Sequence, residues 1–278
     1  MLQQLALVSE VQDVSFSELA TVSAALQKQA TRDLAPIWGI EATVDPFADL
    51  ADVPIGYWPI IVVRDVPNAA GVHLDQNGQP FALVEFDQLW SLTASHECQE
   101  MLVDPFGNRL VAGISPKKNQ GRVEFLVEVC DPSEAQQFGY TVNGVLVSDF
   151  YTPSFFDPVK AAGVRYSFTG SITGPRQVLR GGYLSWHDPV TNNWWQLIWF
   201  GPNKQFRNLG VLARNGQSIR SAIDRLTIPP VAAAGRDPKE KEVRAERALL
   251  ATVRKSTYSK ADSWRAQIKA LKAQGARK

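Results

Sequence analysis

His96, Glu97 and Glu100 form a His-Glu-x-x-Glu string inside Thr93-Ala94-Ser95-His96-Glu97-Cys98-Gln99-Glu100-Met101. On a helix, residues i and i+4 project from one face, so His96 and Glu100 can converge on a single cation while Glu97 leans in beside them. The trio offers two ligands and a base, which are parts of a centre for metal-assisted hydrolysis. A carboxylate in the second ligand position lowers the charge on the centre. That makes a bound water less acidic and moves the metal preference from zinc toward oxygen-loving cations such as manganese or calcium.

The elements that must position this trio are legible from patterning. Leu5 to Ser9 reads as a short strand. Ser15-Phe16-Ser17-Glu18 opens a helix over Ser17 to Asp33, with Leu19, Val22, Ala25 and Leu26 at helical spacing and Ala35-Pro36 as its stop. Trp38 to Val44 and Pro59 to Asp65 read as strands, the second without alternation and so buried on both faces. A turn-rich stretch carrying Asn68, Gly71, Asn77, Gly78 and Pro80 leads into a strand at Phe81 to Phe86, which Pro80 places near a sheet edge. The motif helix follows from Gln88 to Val103, stopped by Asp104-Pro105, with Trp90, Ala94, Met101 and Leu102 as its apolar side.

Beyond that helix the pattern is mostly β. Strands are expected at Arg109–Ile114, Val123–Val129, Arg165–Phe168, Gly182–Trp186 and Trp194–Phe200, and a hairpin at 140–147 turning on Asn143-Gly144. Ser218 to Leu226 reads as a helix. Pro229 to Gly235 reads as a linker before charged helices at about 238–255 and 259–274.

The order strand, helix, strand, strand, edge strand, motif helix resembles the N-terminal subdomain of zincin-type metallopeptidases, in which an edge strand pairs with an extended substrate above the motif helix. The resemblance covers residues 1–160 and rests on His96-Glu97-x-x-Glu100-x-x-x-Asp104-Pro105, Glu128-Val129-Cys130-Asp131-Pro132 and Val147-Ser148-Asp149-Phe150. A group of bacterial and viral zincin-like proteins with His-Glu-x-x-Glu motifs is similar in the same segments. The resemblance implies His96 and Glu100 as metal ligands, Glu97 as general base, Zn2+ or another divalent cation as cofactor, and a peptide or protein substrate.

Two acidic residues compete for the third ligand. Asp104, at i+8, sits about 12 Å along the helix axis from His96 at 1.5 Å per residue. Glu128, on a separate segment, has no such limit and matches the glutamate third ligand of one zincin branch. Both stay open, with Glu128 preferred.

Length and composition fit a large globular domain with appendages: 278 residues, 45% hydrophobic and 21% charged. Residues 1–160 are expected to form the metal-binding region, 161–228 a β-rich region packed on it, and 229–278 a linker with a basic helical tail, all in an α+β fold. The net charge of +1 hides an asymmetry. Residues 236–278 hold 13 Lys and Arg against 5 Asp and Glu, leaving 16 against 23 in the rest. In the last helix Trp264, Ile268 and Leu271 form a narrow apolar stripe, suited to docking on the acidic body, on a protein partner or on a second copy. Nucleic acid is the less favoured partner.

No apolar run of membrane-spanning length and no export signal is evident, so a cytoplasmic protein is expected. The two cysteines, Cys98 and Cys130, are expected as free buried thiols. His73 is expected in a loop and His187 at a turn. Trp186, Trp194, Trp195 and Trp199 are expected in the core of a packed sheet. The alternative to a hydrolase is a catalytically silent zincin-like protein that acts through its β-rich half and tail.

Overall fold

The computed structural model describes residues 2–66, 69–76, 78–213, 217–227 and 260–275. The expected linker at 229–235 and helix at 238–255 lie outside these residues, as does the side chain of Leu271. The fold is α+β.

The first sheet has the order β2-β1-β3-β5-β4. It is built from β1 (Gln3–Ser9), β2 (Ala42–Phe47), β3 (Trp58–Val63), β4 (Gly71–Gln76) and β5 (Gln79–Glu85). β2, β1, β3 and β5 run parallel, and β4 closes one edge antiparallel to β5. Alternation sorts the strand residues into two apolar layers. Leu5, Leu7, Ile60, Val62, Ala82 and Val84 pack against Leu19, Val22 and Leu26 of α1 (Phe16–Lys28) and Trp90, Ala94 and Met101 of α3 (Trp90–Val103). Ala6, Val8, Ile61, Val63, Phe81 and Leu83 face the opposite way, onto Leu50, Val53, Trp264 and Ile268. β3 is thus buried on both faces, as its unbroken apolar run predicts.

Two local readings are corrected here. The first helix does not stop at Ala35-Pro36: α1 continues through a π turn (Gln29–Leu34) into α2 (Ala35–Trp38) and ends at Gly39, φ 69°. Proline has no N–H and clashes with the preceding turn, and placing it in the first turn after a widened π segment removes both problems. The expected strand therefore begins only at Ala42. The turn-rich stretch before Pro80 contains the true edge strand, β4, which pairs with β5 from Gly71↔Val84 to Gln76↔Gln79. That pairing moves the strand at Phe81–Phe86 one place in from the edge.

The second sheet, β12-β11-β10-β7-β6, is antiparallel throughout. It comprises β6 (Leu110–Ile114), β7 (Arg122–Leu126), β10 (Tyr183–Asp188), β11 (Asn193–Ile198) and β12 (Gln205–Gly210). A hairpin of β8 (Tyr140–Val142) and β9 (Val145–Val147) turns on Asn143 and Gly144, both at positive φ, as the Asn-Gly dipeptide predicts. β12 has no counterpart in the sequence reading. Arg165–Phe168 forms only an isolated bridge, Ser167 to Tyr151. Trp186 and Trp194 are buried, and Trp195 and Trp199 are half-buried under Lys117 and Lys204, so the tryptophans serve packing. His187 lies within β10 rather than at a turn, bonded through Nδ1 to Glu124 at 2.9 Å and through Nε2 to Asn192 at 3.0 Å.

Two helices from the far end of the chain pin the body. α4 (Ile219–Asp224), capped by the Ser218 hydroxyl accepting from Ser221 N–H, seats Ile219 and Ile223 on Leu126 and Trp194. α5 (Lys260–Gly275) lays Trp264 on Phe81, ring centroids 4.7 Å apart, while Arg265 meets Glu10 at 3.2 Å and Asp49 at 3.5 Å. The described part of the basic tail is therefore docked on its own acidic body. Among the described residues, no helix is long and apolar enough to cross a membrane.

Candidate metal centre

α3 is buried on nearly every side, not on one stripe: Ser95, Glu97, Gln99 and Glu100 are as buried as Ala94 and Met101. Buried polar groups need partners, and the two ends of the helix solve this differently. On one flank Ser95 Oγ donates to Gln29 Oε1 at 2.8 Å, Gln99 Nε2 donates to the same oxygen at 3.2 Å, and Gln29 Nε2 donates to the Ser148 carbonyl at 2.9 Å. The Ser148 N–H closes the ring by donating to Ser95 Oγ at 2.8 Å. This ring ties the π turn, the motif helix and Val147-Ser148-Asp149 together.

The other flank carries charge. Glu100 Oε1 accepts the Cys130 N–H at 3.1 Å, and Glu100 Oε2 lies 2.5 Å from Arg220 Nη1 and 3.3 Å from His96 Nε2. Arg220, on α4, is only 3% exposed. Its guanidinium also reaches Glu128 Oε2 at 2.7 Å, Glu97 Oε2 at 3.4 Å and Asp224 Oδ2 at 3.1 Å, and it contacts His73 Nδ1. His73 Nε2 lies 2.9 Å from the Asp104 carbonyl. Since a carbonyl only accepts, Nε2 carries the proton and Nδ1 turns its lone pair to the arginine. His96 Nε2 has a second carboxylate neighbour, Asp131 Oδ1, also at 3.3 Å.

Six carboxyl groups (Glu97, Glu100, Glu128, Asp131, Glu134 and Asp224) thus gather around one arginine and His96. Burial penalises every charge, and the neighbours decide which groups keep one. Burial alone would push Glu100 up, but His96 and Arg220 hold it well below the usual carboxylate range. Burial would lower His96, and Glu100 and Asp131 instead hold it well above its ordinary value. Burial, with Glu100 beside them, pushes Glu128 well up against the pull of Arg220 and pushes Asp131 up to about 7. Glu134 is pushed well up by burial and by Asp131. Burial and mutual repulsion hold several of these carboxyls above the usual carboxylate range, and a further cation among them would bring them down.

Oxygens without well-aligned hydrogen bonds are the ones that could accept such a cation. Glu97 Oε2, both oxygens of Glu128 and Asp131 Oδ1 are buried and accept no well-aligned hydrogen bond. Four overlapping trios bring one ligand atom from each residue within 4.8 Å of the others: His96, Glu100 and Cys130; His73, Glu97 and Glu100; His96, Asp131 and Glu134; Glu100, Glu128 and Asp131. The donor set of imidazole and carboxylates suits zinc or manganese.

The sequence-derived candidates are therefore distributed as follows. His96 and Glu100 lie together. Glu97 points to the edge strand, where a Cβ on Gly71 would come 2.7 Å from its Oε1. Glu128 is buried beside Glu100 and ion-paired to Arg220, not a solvated strand residue, because β7 ends at Leu126. Asp104 is committed elsewhere, its two oxygens accepting the N–H groups of Asn108 at 3.1 Å and Arg109 at 2.8 Å. His73, expected in a loop, lies on β4 and is buried. Both cysteines are free and buried, and burial pushes the Cys98 thiol up to about 12.

Sequence reasoning missed Arg220, Asp131 and Glu134 as members of the cluster. Asp131-Pro132 reads as a terminator, and Arg220 carries no spacing signal, lying 120 residues from Glu100. A lone arginine between Ile219 and Ala222 on a short apolar helix was the available hint. No family model matches the chain, and neither the curated proteins nor the solved structures contain a significant match to it.

Proposed function

We propose that the chain is a metal-dependent hydrolase of peptide bonds, a zincin-like His-Glu-x-x-Glu variant in which His96 and Glu100 help hold a divalent cation and Glu97 serves as base. The observation that carries this reading is the buried surplus of carboxylates around His96, four of whose oxygens accept no well-aligned hydrogen bond. A divalent cation supplies the missing positive charge and the missing partners together. When bound, it polarises a carbonyl and acidifies water.

The surrounding architecture supports the peptide part. An antiparallel edge strand, β4, borders the motif helix, and the glycine on it at position 71 leaves room for Glu97. An unpaired strand edge is a ready partner for an extended chain. Glu128 belongs to the set as a charge partner that Arg220 and the cation share. The catalytically silent alternative draws on Arg220, which already neutralises part of the cluster.

The deciding experiment is metal analysis of protein purified without chelators, followed by peptide hydrolysis with and without the metal. One equivalent of zinc or manganese, lost in His96→Ala, is expected. Absence of stoichiometric metal removes the reading, and metal without hydrolysis leaves the silent protein.

A further inference from the structure

Both oxygens of Glu100 are already engaged, Oε1 by the Cys130 N–H and Oε2 by Arg220. Glu128 is drawn to the same guanidinium. The other carboxylate at the same His96 nitrogen is different. Asp131, 2% exposed, directs an Oδ1 that accepts no hydrogen bond to within 3.3 Å of His96 Nε2. The 3₁₀ turn Asp131–Ser133 then brings Glu134 to the same place, so that one ligand atom each from His96, Asp131 and Glu134 lies within 4.8 Å of the other two.

From this arrangement we infer that Asp131 and Glu134 are metal ligands, seating a divalent first-row cation together with His96. The assignment rests on the metal-centre reading above and adds the residues that complete it. Three facts converge. Metal–ligand bonds of roughly 2.0–2.2 Å in a tetrahedron set ligand atoms about 3.4 Å apart, and the His96 to Asp131 separation of 3.3 Å matches that edge. The orphaned Asp131 oxygen is the kind of buried acceptor that a cation satisfies. His96 and Glu134 are both partly exposed, which provides the entry path that the fully buried Glu100 and Glu128 lack.

Spacing also explains the division of labour. Asp131 and Glu134 are three residues apart on one tight turn, where side chains at i and i+3 eclipse and point the same way. Pro132, the second residue of that turn, fixes its backbone without giving up a needed N–H. Arg220 then neutralises the Glu100–Glu128 side permanently, and the imidazole of His96 joins the two halves. With Glu100, whose Oε2 lies 3.3 Å from the same His96 nitrogen, one nitrogen and three carboxylates make a centre suited to manganese as well as zinc.

The test is calorimetric titration of the chelator-stripped full chain with Zn2+ and, separately, with Mn2+, for wild type, His96→Ala, Asp131→Asn, Glu134→Gln and Glu128→Gln. Asp131→Asn and Glu134→Gln are each expected to weaken binding of the better-bound metal at least tenfold, and by more than Glu128→Gln does. A loss under tenfold in both, or no greater than in Glu128→Gln, overturns the assignment. If His96→Ala abolishes binding while those two variants bind as wild type, the ligand assignment fails and the metal-centre reading stands. Wild type that binds neither ion, or His96→Ala that binds as well as wild type, sinks both. Glu134 is partly exposed, so Glu134→Gln decides alone should Asp131→Asn fail to fold.

Discussion

Arg220 Nη1 lies 2.5 Å from Glu100 Oε2, joining the first turn of a C-terminal helix to the buried face of the motif helix. Among the described residues no other makes as many charged contacts in this cluster: the same side chain meets Glu97, Glu128 and Asp224. A buried arginine with four carboxylate partners is a fixed internal counter-ion. The fork of its guanidinium is what allows several partners at once.

Removing that counter-ion is therefore expected to be severe. Arg220→Met keeps the volume but leaves buried carboxylates unpaired, and should cost about 3–5 kcal/mol of stability, read from urea denaturation of the metal-free chain. Arg220→Lys should recover only part of this, because an ammonium is a point charge without the fork. Saturating Zn2+ or Mn2+ should raise the Tm of Arg220→Met more than that of wild type. Equal shifts would mean that the arginine and the cation do not share carboxylates.

Glu97 separates binding from chemistry. Glu97→Gln should retain the metal and lose hydrolysis of a fluorogenic peptide by a factor on the order of 10²–10⁴, the usual contribution of a general base. A variant as active as wild type assigns the base elsewhere.

The pH dependence of the metal-free protein has a sign that follows from the cluster. Asp131, pushed up from 3.8 to about 7, holds in the folded state a proton that the unfolded chain releases above 3.8. Its contribution is present in acid and is lost as pH rises from about 4 to about 7. His96, held well above 6.5, contributes fully below 6.5 and less as pH rises through its folded value. Glu100, held well below 4.5, acts oppositely and loses its contribution only in stronger acid. The Tm of the stripped protein should therefore decline from mildly acid pH through neutrality. Bound metal, which takes the ionised carboxylate and the neutral imidazole, should flatten or reverse that decline. A metal-free Tm that rises between pH 5 and 7 would contradict the assignment of protons to these carboxyls.

Gly71 tests the contact between the edge strand and the base. A Cβ there would meet Thr93 Cγ2 at 2.5 Å and Glu97 Oε1 at 2.7 Å. Gly71→Ala should cost about 1–3 kcal/mol by overpacking and reduce hydrolysis through displacement of Glu97. Metal affinity should be unchanged, since Gly71 reaches none of the proposed ligands. Thermal denaturation and metal titration on the same sample measure both halves.

The parts legible in sequence are those governed by local rules. Short unbroken apolar runs placed Leu5 to Ser9 and the doubly buried strand at Pro59 to Asp65, and the Asn143-Gly144 dipeptide placed its hairpin. Helical spacing put His96 and Glu100 on one face. The misread parts depend on partners distant in sequence. β4 was hidden because Gly71 read as a turn residue, yet pairing with β5 draws it into a strand. The helix was carried past Pro36 by a π turn, which no propensity signals. His73 and Arg220 converge across 147 residues, a proximity that only the folded topology creates. Asp131 looked like a stop signal because a proline follows it, and the same proline shapes the turn that presents it.

The position of Arg220 in the chain has a consequence for synthesis. Residues 1–134 contain the first sheet, the motif helix and five of the six clustered carboxyls, and they emerge from the ribosome long before residue 220. Translation at roughly 5–20 residues per second leaves that nascent body without its arginine for several seconds. Over that interval the carboxyls must stay protonated, stay wet or borrow a cation from the medium. When α4 folds onto the cluster, Arg220 brings the positive charge that the nascent body lacked.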